Sequence, residues 1–483
     1  MDKKTLIIIL IVFIGSFSVT YFLIKRSKAN KALTVSEYIP ITNGVVGAVN
    51  YNGLEAIVMK EMFRNPSMLM KLKNDMSEKQ LFGDVMAAVI KGGLDKDQKI
   101  IFSLSPQIKK GSFVLIAITD EERIQENLKN QLSAYSGNSL TLKETFIANY
   151  YPKEQMGVVL NKDFLLVLAG NEKNVTTTWK EITTQTNCYQ DSNKNIASLI
   201  DNEHHISFWT DNNTLTSATN EKKKDEVITH IDFLDGKLDI SATVNTENVY
   251  FDNTASKRFS CDTCALSFHL NMKNVATIPT FFNDSINQKV DSVTQLLNIN
   301  YLQFLGNSNG KLDFTILGKG ERLEKIVSYE FDDDFNKVKV EKTVATPVVN
   351  FVMNLGEKDK EMYQYFKNHN IIKTTNKEEL LMNPLGKCYV KTEANQLMLT
   401  SNQTLFNAET ITDANGFYLY ADINKVINLL FKKPEERFKQ FERIRAIANQ
   451  KSKVVTINLE ITTHNLDKNV LFDIAGAAIQ MKK

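Results

Sequence analysis

The sequence predicts an α+β protein, with an N-terminal transmembrane helix followed by two tandem copies of a strand-helix-hairpin unit whose sheets are mainly antiparallel. Three observations predict this. The stretch from Thr5 to Ile24 carries no charge, an alternating apolar run ends in Asn or Asp four times, and Asp-Gly or Asn-Gly dipeptides interrupt other alternating runs. The implied boundaries are an anchor over 1–35, a first α+β half over 36–250 and a second over 251–483.

The apolar stretch reads TLIIILIVFIGSFSVTYFLI. Twenty helical residues at about 1.5 Å each span the roughly 30 Å hydrocarbon core of a bilayer. Lys3 and Lys4 precede it and Lys25, Arg26, Lys28 and Lys31 follow, so cationic ends flank both sides. A cleaved signal peptide has a shorter apolar core ending in small residues, whereas here Tyr-Phe-Leu-Ile runs into Lys-Arg. No nearby cysteine offers a lipid attachment point. The expectation is a single-pass inner-membrane protein with its body outside the cytoplasm, in the periplasm.

The repeated motif is VVGAV-Asn50, ISFWT-Asp211, LSFHL-Asn271 and FYLYA-Asp422. Period-two alternation supplies a strand, and the Asn or Asp supplies an acceptor for the unpaired N–H groups of a following helix. These four residues are therefore expected helix caps. GSFVLIAITDEERIQENLKNQ, a strand entering a charged helix, is echoed by ATPVVNFVMNLGEKDKEMYQYFKNH. Each is followed by a hairpin, MGVVLNKDFLLVLAGN in one half and GKCYVKTEANQLMLTSN in the other. Further hairpins are expected at Asp235-Gly236, at Asn309-Gly310 and around Asn465. The longest helices are expected over 54–76, 278–297 and 434–449, on apolar positions at helical spacing, with helices on one face of each sheet.

Composition excludes several classes. Hydrophobic residues make up 43% and charged residues 24%, as in a folded chain and unlike a disordered one. The net charge of +2, from 58 basic and 56 acidic residues, gives no field to attract a polyanion, so no nucleic-acid partner is expected.

No motif carries chemistry. Cys261 and Cys264 have redox or half-zinc spacing, but Cys264 enters a strand and not a helix N-terminus, and no further ligands follow at finger spacing. A structural disulfide or two inert thiols fit better, with Cys188 and Cys388 isolated. His204 and His205, at a strand start, are read as loop-edge residues pointing to opposite faces. Asp332 to Asn336 resembles the opening of a calcium loop, but Lys337 stands where glycine is needed and Thr343 where a glutamate is needed, so it reads as a solvated turn. Gly318-Lys319-Gly320 lacks the rest of a phosphate loop and reads as a loop. No catalytic residue, metal or cofactor is expected.

With the anchor, the YIP segment at Tyr38 to Pro40, VVGAVN and GLDKDQKIIFSLSP in view, the chain resembles uncharacterised single-helix-anchored bacterial envelope proteins with a duplicated extracytoplasmic region. The resemblance implies an extracytoplasmic location and brings no catalytic residues. The expected function is noncatalytic binding of a protein, glycan or lipid partner. The alternatives are a hydrolase using dispersed carboxylates, and an assembly or quality-control factor.

Overall fold

A computed structural model describes residues 44–64, 81–95, 98–104, 112–184, 194–199, 202–211, 226–247, 250–253, 256–260, 264–273, 275–276, 287–288, 291–292, 295, 300–331, 335–375, 378–383, 386–430 and 440–480. Among these, strand takes 49% and helix 29%, so the fold is mainly β and the α+β expectation is overturned. The transmembrane helix expected over 5–24 lies outside the described residues. No helix among the described ones is long and apolar enough to cross a membrane, so the anchored architecture finds no support.

The chain divides into two compact units, 1–245 with 465–483, and 246–464. The boundary falls close to residue 250, but the final segment packs with the first unit and not with the second half.

In the first unit the strands are β1 (Val45–Val49), β2 (Ile100–Leu104), β3 (Ser112–Ala117), β4 (Asn138–Ser139) and β5 (Ile147–Tyr151). They continue as β6 (Met156–Leu160), β7 (Phe164–Ala169), β8 (Ile206–Asp211), β9 (Glu226–Leu234) and β10 (Lys237–Asn245). Antiparallel pairing orders them β10-β9-β8-β1-β2-β3-β7-β6-β5-β4. The helices are α1 (Tyr51–Arg64), α2 (Leu81–Gly92), α3 (Glu121–Leu132), α4 (Glu172–Thr184) and α5 (Lys194–Ala197). Asp120 caps α3 by accepting from the Arg123 N–H at 3.0 Å, which satisfies one of the orphan donors of the first turn.

Both faces of this sheet are buried, contrary to the expected one-sided packing. Leu115, Val159 and Leu166 join Trp179 and Ile182 of α4 in one core. Their neighbours Ile116, Val158 and Leu165 point the other way and are equally buried. The FLLVLA run of β7 therefore has no polar side, as expected of a strand covered on both faces. At β1, Gly47 admits the ring of its cross-strand partner Phe102, whose nearest atom lies 1.9 Å from where a Cβ would stand.

In the second unit the strands are β11 (Ser256–Phe259), β12 (Leu266–Asn271), β13 (Ser308–Phe331), β14 (Lys337–Glu357), β15 (Ile372–Thr375) and β16 (Glu378–Asn383). Then come β17 (Gly386–Glu393), β18 (Gln396–Thr400), β19 (Thr410–Asp413), β20 (Phe417–Asp422), β21 (Phe441–Lys451) and β22 (Val454–Thr463). The main sheet runs β22-β21-β20-β12-β13-β14-β18-β17-β16-β15, all antiparallel, with β11 and β19 pairing separately. Strand for strand, this is the order of the first unit with β12 in the place of β1. The helices are α6 (Tyr301–Asn307), α7 (Glu361–Asn368) and α8 (Ile423–Leu430). Met362 and Phe366 of α7 pack on Leu355, Leu397 and Leu399 of the sheet.

Three further expectations change. The helix expected over 434–449 is β21 from Phe441 onward, because Ile444, Ala446 and Ala448 recur every second residue and face the core while β22 pairs alongside. The turn of that hairpin lies at Ser452, which has a positive φ, and not at Asn465. Beyond Asn465 the chain forms a helix, α9 (Val470–Gln480), not a second strand. Asn309-Gly310 makes no hairpin either, because α6 precedes it and the dipeptide sits in a register shift at the start of β13. Of the helix expected over 54–76, α1 covers the part up to Arg64 and the remainder lies outside the described residues, as does most of 278–297.

Gly310 combines φ +89 with a Met272 carbonyl oxygen 1.7 Å from a Cβ position, and its own carbonyl accepts from the Met272 N–H. Gly310→Ala is expected to cost about 3 kcal/mol or more, since backbone and not a flexible side chain stands in the way. Gly83→Ala, in α2 with open space around it, is expected to be neutral or to stabilise by up to about 1 kcal/mol. Chemical denaturation of the two variants checks the contrast.

Candidate functional site

Beyond the main sheet of the second unit, β13 and β14 continue as a two-stranded arm. Pairing of β13 with β12 ends at Ile316, and pairing of β14 with β18 ends at Val352. From Gly318 to Phe331, and from Lys337 to Asn350, the strands pair only with each other among the described residues. Local sequence explains the arm. Ile326, Val327, Tyr329 and the KVKVEKTV run favour extended backbone, and Phe335, at φ 63, lies in the connection.

With no described strand paired to it, the arm leaves apolar side chains in solvent. Tyr329 is 58% exposed, Phe331 70% and Phe335 86%. Ile326, Val327, Val338, Val344 and Val349 are exposed as well. Such a concentration of apolar surface marks an interaction site more often than chance exposure. Lys337 places its Nζ 4.6 Å from the centre of the Tyr329 ring, and Lys342 pairs with Glu330, so the arm has ordered cross-strand contacts.

Gly318-Lys319-Gly320 lies in β13 at the root of this arm, not in a loop. Gly318 has φ +131 at the register shift, and Gly320 leaves room for the Asn350 amide. Asp332 to Asp334 lie outside the described residues.

The four repeated positions behave differently. Asn50 caps α1 by accepting from the Gly53 N–H at 2.9 Å, and Asp422 caps α8 by accepting from the Lys425 N–H at 3.0 Å. Asn271 is buried and donates from Nδ2 to the Asp252 carbonyl at 2.8 Å, so it holds a neighbouring segment instead. Asp211 ends β8, and the residues after it lie outside the described set. β1 pairs with β8, and β12 with β20, so the four repeats form two strand pairs. Cys264 is disulfide-bonded, Cys261 and Cys188 lie outside the described residues, and Cys388 is buried.

Sequence reading missed a histidine cluster. His204 and His205 both precede β8 and turn to one carboxylate, with Nδ1 to Asp232 distances of 2.6 and 3.0 Å. Asp232 is distant in sequence and arrives through the β8–β9 register, which pairs Ile206 with Ile231. His230 stacks on His204 with ring centres 4.3 Å apart and bonds Ser207 Oγ at 2.9 Å. Burial opposes the charge on Asp232, but hydrogen bonds from His204 and the His205 N–H hold its carboxyl below the usual range. Burial pushes the pKa of His205 and of His230 down.

This is not a catalytic triad. Ser207 is fully buried, and Asp232 is engaged by the other two histidines and not by His230. Among the described residues no group of His, Cys, Asp or Glu is placed to hold a metal.

The second unit buries a polar group on its matching strand. His269 of β12 lies opposite Asp313 of β13 on one side and Tyr418 of β20 on the other. Counting back two residues from Asn50 and from Asn271, His269 takes the place of Ala48, which lies between Ile101 and Ser207. Asp313 Oδ2 accepts from the Phe259 N–H at 2.7 Å, and the Arg258 guanidinium stacks 3.9 Å over the Tyr418 ring. Burial pushes Asp313 up to about 7, against the Phe259 hydrogen bond and the Arg258 charge.

These shifts have opposite signs. Asp313 titrates higher folded than unfolded, so its contribution is complete below 3.8 and is lost as pH rises through about 7. His205 and His230 titrate lower folded, so theirs is present above 6.5 and is lost as pH falls. Asp313→Asn is expected to raise stability at pH 8 by about 2–4 kcal/mol relative to its effect near pH 4. His230→Asn, whose amide keeps a partner for Ser207, is expected to reduce the stability lost between pH 7.5 and 5.5. Urea denaturation across pH measures both.

No family model and no curated protein matches the chain. Among solved structures, TP0453 in its crystal form I has a TM-score of 0.30 at 7% identity, over 45% of this chain and 80% of that one. Its crystal form IV gives 0.26 at 10% identity, over 44% and 79%, and likeness this loose assigns neither fold nor function.

Proposed function

We propose that this protein is a noncatalytic binding protein that engages a protein partner through the β13–β14 arm. The observation that carries the reading is the arm itself, a ribbon whose two edges pair with no other described strand and which has exposed aromatic side chains near its far end. Open strand edges present rows of backbone donors and acceptors that another chain can continue, and the side chains between them select the partner.

A protein fits better than a charged polymer or an anionic membrane. Residues 318–350 carry six basic and seven acidic side chains, so the arm offers no net positive field. The titratable groups with the largest structural settings, Asp313 and the histidine cluster, are hydrogen-bonded in or near the sheets, with Ser207 and Asp313 shut away from solvent. That favours binding over hydrolysis. The disulfide at Cys264 supports an oxidising, extracytoplasmic location.

Replacing residues 319–349 by an Asn-Gly turn is expected to leave the far-ultraviolet circular dichroism of the sheets and the denaturation midpoint near those of the parent. A photo-reactive side chain at Phe335 is expected to form protein adducts in intact cells that the same probe at exposed Leu466 does not form. Equal labelling at the two positions counts against the arm as a binding element.

A further inference from the structure

We infer that His204, His205 and His230 form an acid-sensitive latch: as protons bind, the connection over 202–205 is released from β9 and from the start of α1, and this corner of the first unit opens. The latch is built of backbone as well as rings. The Asn50 N–H donates to the His205 carbonyl at 2.9 Å and Asn50 Nδ2 to the Glu203 carbonyl at 3.4 Å, so the residue that caps α1 is itself held by the connection. On the other side the His205 N–H donates to Asp232 Oδ1 at 3.1 Å, and Lys99 Nζ donates to the Leu199 carbonyl and to Asn202 Oδ1. The His205 ring lies against Gly53, with Cδ2 3.1 Å from where a Cβ would stand.

The hydrogen bonds fix where each proton sits. Lys99 has only donors to offer, so the Asn202 atom it meets is the oxygen, and the single hydroxyl proton of Ser207 goes to that oxygen at 3.0 Å. Ser207 Oγ must then accept from His230, whose Nδ1 carries the hydrogen. Asp232 is ionised and can only accept, so His204 Nδ1 carries a hydrogen too. An added proton therefore goes to Nε2 of either ring, and the two rings are stacked with centres 4.3 Å apart, which sets like charges face to face. His205 Nδ1 meets a donor and an acceptor at once, the Phe233 N–H at 3.2 Å and Asp232 Oδ1 at 3.0 Å. One ring position cannot serve both, so a proton on Nδ1 turns it to Asp232 and strips a partner from the N–H of Phe233, a residue 2% exposed.

The neighbouring charges do not cancel this. Lys99 adds a positive charge beside His230, the Asp235 carboxylate is taken by Lys60 and Arg64 of α1, and Asp239, opposite Asp232 across β9 and β10, is paired with Lys237 at 2.9 Å. Glu203 meets the latch through its backbone carbonyl. The one negative charge of Asp232 cannot balance three protonated rings. Burial already holds His205 and His230 below the usual histidine range, so protons bind them more readily once the corner is open.

Hydrogen exchange of the full chain, read by mass spectrometry at pH 7.5 and 5.5 and corrected for the intrinsic pH dependence of exchange, is the test. Peptides covering Asn50 to Leu54, Asn202 to Ser207 and His230 to Phe233 are expected to lose about tenfold in protection at pH 5.5, while the β6–β7 hairpin from Met156 to Ala169 keeps its own. His230→Asn, which keeps a partner for Ser207 and removes the stacked charge, is expected to remove most of that loss. Nitrogen-15 spectra of the histidines at pH 7.5 are expected to show His204 and His230 with the hydrogen on Nδ1. Unchanged protection at pH 5.5, an equal loss in the β6–β7 hairpin, or a His230→Asn variant as acid-sensitive as the parent overturns the latch. A bare Nδ1 on His230 overturns the proton placement, and the latch with it.

Discussion

A backbone N–H or C=O withdrawn from water without a partner costs as much as a lost hydrogen bond, and a β-strand must settle that account on both of its edges. In each unit one antiparallel order joins ten strands and gives the eight inner ones a neighbour on each edge, with β1 or β12 enclosed between two. The rest of the structure follows from this pairing. It brings Asp232 to His204 and His205, it sets His269 between Asp313 and Tyr418, and beyond Gly318 and Asn350 the two strands of the arm pair only with each other among the described residues.

What the sequence made legible was local. Hairpins with strong turn chemistry, such as β9–β10 at Asp235-Gly236, stand where alternation and a positive-φ glycine put them. Caps at Asn50 and Asp422 follow the same short-range logic. Where the local signal was ambiguous, tertiary pairing decided. FERIRAIANQK has apolar residues that suit either period, and only the β22 strand beside it makes the choice. VLFDIAGAAIQ reads as a strand by composition, yet forms a helix whose Val470, Leu471 and Phe472 are buried.

The candidate site was less visible, for a physical reason. The arm has the alternation of an ordinary hairpin, and the sequence holds no sign that β12 and β18 stop short of it. The sequence reads Asp332 to Asn336 as a solvated turn, and of these residues Phe335 and Asn336 are described, in the connection between β13 and β14. The histidine cluster depends on a carboxylate 28 residues from His204, delivered by register and not by motif spacing. The polar row at His269 has its counterpart at Ala48, so a duplicated architecture does not imply duplicated chemistry.

The return of the chain after His464 has a consequence for folding. Asn469 donates from Nδ2 to the Phe233 carbonyl, the Gly236 N–H donates to Lys468, and Arg64 reaches the Asp467 carbonyl, so residues near the C-terminus complete structure begun by those near the N-terminus. The second unit is thus an insertion within the first. The first unit therefore joins segments 236 residues apart in sequence, a loop closure whose entropic cost grows only slowly with the length of the insertion.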